Sequence, residues 1–200
     1  RPTGSRAMRL DILNRGYRPA TKLLFLVIRL VSRRPLPDAA KLTFYRPDFY
    51  GARAREFTQE AMRGPASWSV ADRELMAACV SAANDSPFCV GAHSATASLA
   101  SDNPGLVAAA LADLDSAPVS EPLRATLGML GTLTIAGRLS PAGVRQALAA
   151  GVTPEQVRDA LAVAAAFAVT NRLADAFGFR LLTPEGYRAG AEVLLKRGYR

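Results

Sequence analysis

The sequence predicts an all-α fold, and three observations lead to it. No run of residues alternates apolar and polar over a useful strand length. Two segments open with a helix cap and continue into alanine-rich sequence, one at Ser69 and one at Thr153, where Gln156 completes a capping box. Half of the 200 residues are apolar, which suits one compact domain with a sizeable core rather than a disordered chain.

The elements follow in order. Residues 1–7 precede Met8 and read as an expression-tag remnant, set aside from the functional argument. Lys22 to Val31 is an apolar helix too short to span a bilayer and interrupted by Arg29, so no transmembrane segment is expected there. The Arg33-Arg34-Pro35 that follows lacks the small residues of a signal cleavage site. Packing on the chain's own domain is the first expectation for this helix. Burial against a neighbouring subunit and contact with a membrane surface are the alternatives.

Residues 38–63 give one or two helices, broken near Pro47 and ended by Gly64-Pro65. Trp68 leads into a helix carrying Glu74, and Asn84-Asp85 makes a short turn into the next, so the two are antiparallel neighbours. Further helices are expected near 105–114, 121–136 and 141–149, and a long one runs from Pro154 to about Phe177. Its alanines from Ala160 to Ala168 allow close approach by other helices.

The chemistry concentrates in Ser86-Pro87-Phe88-Cys89-Val90-Gly91-Ala92-His93. Cys89 and His93, the only histidine, stand at i and i+4 and share one helix face. Pro87 suits the first helical position and Ser86 the N-cap, which puts Cys89 in the first turn, where the helix dipole favours a thiolate. Glu74 can add a carboxylate from the preceding helix, giving a carboxylate, imidazole and thiol relay. The alternative is structural: cysteine is among the most buried residues, a lone histidine on an apolar face is usually a core residue, and Glu74 would merely favour its helix dipole. Zinc fits poorly on three ligands with no second cysteine or histidine nearby, so no metal is expected.

These residues resemble the AhpD-like, or carboxymuconolactone decarboxylase, family of alkylhydroperoxidase-related proteins. Its peroxidase branch spaces a glutamate, eleven residues, a cysteine, two residues, a second cysteine, three residues and a histidine; Glu74, Ser86, Cys89 and His93 match that spacing. The likeness is firmest from Trp68 to Ala100 and weaker from Asn171 to Gly178. It implies an AhpD-like core over 68–200 preceded by an N-terminal helical segment over 8–67, together one domain, and a homo-oligomer, commonly a trimer or hexamer. It also implies Cys89 as the attacking thiol, His93 and Glu74 as its proton relay, and no cofactor. The resolving cysteine is replaced by Ser86. A serine introduced to trap an intermediate would look the same, and the natural gene sequence distinguishes the two.

Two functions and a third reading follow. A peroxidase-related thiol antioxidant enzyme would reduce a small hydroperoxide through Cys89 and recover with an external thiol, a redox protein, or Cys79 as a secondary thiol if its helix faces Cys89. A lyase or isomerase of the decarboxylase branch would use His93 and Glu74 as acid and base, with Cys89 lining the pocket. A non-catalytic member would bind a ligand or partner. Asn171, Arg172 and Asp175 read as a polar cluster joining helices in preference to a substrate site. Two cysteines of unequal context suit a reducing, cytoplasmic setting. The net charge of +8 lies largely at the two ends of the chain, but no nucleic-acid-binding signature accompanies it, so no specific nucleic-acid partner is expected.

Overall fold

Proline sets many of the helix starts, because its missing N–H is one that a first helical turn leaves unpaired in any case. The computed structural model describes residues 12–45, 47, 51–101 and 103–199, so the tag reading of residues 1–7 lies outside the described residues. Eleven helices and no strand run through the described residues: α1 (Ile12–Arg15), α2 (Pro19–Ser32), α3 (Asp38–Tyr45), α4 (Ala52–Arg63), α5 (Val70–Ala83), α6 (Pro87–Ser101), α7 (Pro104–Ala112), α8 (Glu121–Ala136), α9 (Pro141–Ala149), α10 (Pro154–Phe177) and α11 (Pro184–Arg197).

Both expected caps form. Ser69 Oγ accepts from Asp72 N at 3.1 Å while Asp72 accepts from Ser69 N, and Thr153 and Gln156 make the same reciprocal pair at the start of α10. The α5–α6 turn closes with Ser86 N donating to Ser81 O at 3.0 Å and Asp85 at φ 53°, a left-handed position an aspartate tolerates. The turn returns α6 antiparallel along α5, and this is the most extensively packed helix pair.

Two apolar clusters hold the fold. The larger joins Leu75, Met76 and Val80 of α5 to Leu127 and Leu130 of α8 and to Val163 and Phe167 of α10. The smaller joins Leu13 and Leu42, from α1 and α3, to Phe88, Cys89, Ala174 and Phe179. By length and composition α10 would suffice to cross a membrane, but Ala160, Val163, Ala164 and Phe167 are buried and it packs against α4, α5 and α8. Trp68 Nε1 donates to Gln156 O at 2.9 Å, tying the approach to α5 onto the start of α10.

The helix α2 departs from the first expectation. Its inner face is narrow: Phe25 packs edge-on against Tyr17 and Phe44, with ring centroids 4.9 and 5.3 Å apart, and Ile28 is half-buried. Leu23, Leu24, Leu26, Val27, Leu30 and Val31 stand outward, between 42 and 81 % exposed. The helix rests on the body along one face only, and its apolar residues encircle most of it.

Candidate active site

Glu74 is completely buried, which a glutamate tolerates only with partners for both oxygens. Its place on α5, between α4 and α6, supplies them. Arg63, the last residue of α4, donates from Nη2 to Oε1 at 2.6 Å, and the Tyr199 hydroxyl donates to the same oxygen at 2.9 Å. His93 Nδ1 lies 2.7 Å from Oε2. Arg73 Nη1 donates to Gly64 O at 2.9 Å, pinning the end of α4 that carries Arg63.

Burial pushes the Glu74 carboxyl up, but the hydrogen bond and charge of His93 and the charge of Arg63 outweigh it, and the net shift is down from 4.5. The ionised carboxylate therefore accepts from Nδ1–H, and in the neutral ring Nε2 is the acceptor nitrogen. Phe167 meets the imidazole edge-on at 4.3 Å, and the Tyr199 ring lies nearly parallel to it at 6.4 Å. Arg63 sits over the Tyr199 ring, 5.1 Å from its centroid. Tyr199 reaches this place because Gly198 turns the chain at φ 67° and ψ −149°, and Tyr199 N then donates to Gln59 Oε1 at 2.7 Å. Burial, and then the Glu74 charge, raise the Tyr199 phenol well above 10.0.

Cys89 occupies the expected face of α6 but a different environment. It is 2 % exposed within the smaller apolar cluster, and among the described residues no hydrogen bond joins it to His93. Burial pushes its thiol up to about 11, Ser86 offsets this in part, and Asp175 adds to it. The helix start was expected to favour the thiolate; loss of water outweighs the helix dipole here. Ser86 stands directly before α6, as expected of its N-cap, with its carbonyl accepting from Val90 N at 3.0 Å; it is wholly buried, and its hydroxyl donates to Asp175 Oδ1 at 3.0 Å. Cys79 packs against the larger cluster, its thiol pushed up to about 12 by burial; both cysteines are free.

The expected polar cluster of Asn171, Arg172 and Asp175 divides. Asn171 is buried and accepts from Ser81 Oγ at 3.1 Å, whereas Asp175 and Arg172 are exposed and only Asp175 reaches α6, through Ser86. Gly91 has a clear purpose: a Cβ there would lie 2.5 Å from the Tyr187 ring, so α6 and α11 meet closely only because position 91 has none. Sequence reasoning missed Arg63, Tyr199 and Phe167. Lys196-Arg197-Gly198 signals the end of α11, but nothing local indicates that the tyrosine after it reaches Glu74.

Two surface hollows, one between α4 and α10 around Phe57 and Val169 and one between α6 and α7 around Ser98 and Val107, are not lined by Glu74, Cys89 or His93. No protein-family model and no curated protein matches the chain. Solved structures do. An uncharacterized peroxidase-related protein from Silicibacter sp. TM1040 superposes with a TM-score of 0.75 at 20 % identity, over 93 % of this chain and 97 % of that one. An alkylhydroperoxidase AhpD core, an uncharacterized peroxidase-related protein from Ralstonia eutropha JMP134, superposes with a TM-score of 0.71 at 21 % identity, over 94 % and 98 %. This chain therefore has the all-α fold of the AhpD-like proteins.

Proposed function

We propose that the chain is a peroxidase-related enzyme in which Cys89 reduces a small hydroperoxide. The supporting observation is the buried Glu74–His93 pair, 2.7 Å apart, one helical turn along α6 from Cys89. The thiol sulfur attacks the outer peroxide oxygen, an S–O bond forms and the O–O bond breaks. The thiol proton passes through His93 to the leaving alkoxide, giving an alcohol and a cysteine sulfenic acid. Ser86 offers no sulfur for an internal disulfide, so two external thiols supply the two electrons that restore Cys89, releasing a disulfide and water. The fold shared with two peroxidase-related proteins adds support. Mass spectrometry after one equivalent of cumene hydroperoxide tests the reading. The expected result is one added oxygen on Cys89, trapped by dimedone, and loss of peroxide consumption in Cys89→Ser. An unmodified Cys89 with full activity in that variant sinks it.

A second reading has its own observation: the Cys89 thiol is pushed up to about 11, whereas Glu74 and His93 are paired at 2.7 Å. In it His93 and Glu74 do acid–base work on a small carbonyl acid and Cys89 is a wall residue. Turnover of such an acid that survives Cys89→Ser and is lost in His93→Ala would favour it.

A further inference from the structure

The geometry points to a use for α2: we propose that this helix docks the protein on an anionic lipid surface. The face turned from the body carries Leu23, Leu24, Leu26, Val27, Leu30 and Val31, all exposed, with Val31 at 81 %. Contiguous apolar surface of this kind on a water-soluble chain marks an interaction site. Lys22 and Arg29, seven residues apart, run along one flank of the apolar arc, and Arg18 and Arg33 cap the two ends; all four are exposed. No aspartate or glutamate occurs from residue 12 to residue 37. An apolar face bordered by cations is the composition of a helix lying in a bilayer interface, with apolar side chains among the acyl chains and cations at the headgroups.

Charge selects lipid over a second copy of α2. An antiparallel two-fold pair sets like flank against like flank, so Lys22 and Arg29 would face their own copies. A parallel pair sets them against the opposite flank, which carries Leu24 and Ile28 and offers no carboxylate. Anionic headgroups supply the missing negative charge.

The test is co-sedimentation of the full chain with phosphatidylcholine vesicles, with and without phosphatidylglycerol. Binding is expected only where phosphatidylglycerol is present, and it should weaken as salt is raised. Lys22→Glu with Arg29→Glu should weaken it at least about tenfold, since each cation near such a surface counts. Leu23→Ser with Leu30→Ser should abolish it, and Val31→Ser alone should move it in the same direction, with helicity by circular dichroism unchanged in all three. Absence of binding to phosphatidylglycerol vesicles overturns the proposal, as does binding undiminished in both double variants. An oligomer that dissociates in Leu23→Ser with Leu30→Ser while vesicles stay unbound assigns the face to a second copy and overturns it equally.

Discussion

His93 Nδ1 and Glu74 Oε2 stand 2.7 Å apart in the interior, and the other oxygen of the same carboxylate is shared by Arg63 and Tyr199. One carboxylate thus joins α4, α5, α6 and the turn after α11.

Glu74→Leu should be strongly destabilising, by roughly 3–5 kcal/mol, because it leaves the Arg63 guanidinium without its counter-charge. Removing both partners, as Glu74→Leu with Arg63→Leu, should cost less than Glu74→Leu alone. Urea unfolding of the two variants checks the order; equal or reversed losses would show that the pair is not the coupled unit.

Tyr199→Phe removes one hydrogen bond and keeps the ring beside Arg63 and His93, so the expected loss is about 0.5–1.5 kcal/mol. Gly198→Ala should cost more, on the order of 1–3 kcal/mol, since its φ of 67° and ψ of −149° strain any residue with a Cβ. The same unfolding measurement ranks them.

Much of this was legible in the sequence, because helices here are marked by local chemistry. Glu121–Ala136, Pro141–Ala149 and Pro154–Phe177 lie where apolar runs, prolines and caps put them. The meeting of Glu74 with His93 was readable too, from the short Asn84-Asp85 turn that makes α5 and α6 antiparallel. Arg63 and Tyr199 were not, for they reach Glu74 from 11 and 125 residues away and carry no shared spacing. The thiol's environment was also hidden, because Leu13 and Leu42, which share its apolar cluster, lie in a distant segment.

Acid should weaken the fold through Glu74. Its folded value is depressed below 4.5, so its contribution is present above the unfolded value and is lost as pH falls through the folded one. Thermal midpoints measured downward from pH 5 should fall less steeply in Glu74→Gln than in the parent; parallel slopes would contradict the assignment.

Alkali should act through Cys89. Its folded value is raised from 9.0 to about 11, so its contribution is complete below pH 9.0 and is lost as pH rises toward 11. The loss is roughly 2–3 kcal/mol at one thiol. Cys89→Ala should flatten part of the decline, and Cys79 and Tyr17, each raised to about 12, should retain the rest. Alkylation of Cys89 by iodoacetamide should quicken by about tenfold per pH unit over the same approach, as the thiolate fraction grows.

Gly91→Ala should separate α6 from α11, because the added methyl would lie 2.5 Å from the rigid Tyr187 ring. A loss of about 1–3 kcal/mol is expected from such overpacking. Tyr187→Leu in the same background should recover part of it, measured by urea unfolding.

Cys89, 2 % exposed, shares its apolar cluster with Leu13 and Leu42 from one end of the chain and with Ala174 and Phe179 from the other. An oxygen atom added to its sulfur would have to be accommodated within a tightly filled interior. Redox chemistry at this position would therefore be mechanical as well as chemical: the oxidised form would push on α1 and α3, and the fit of those helices would register whether the sulfur has reacted.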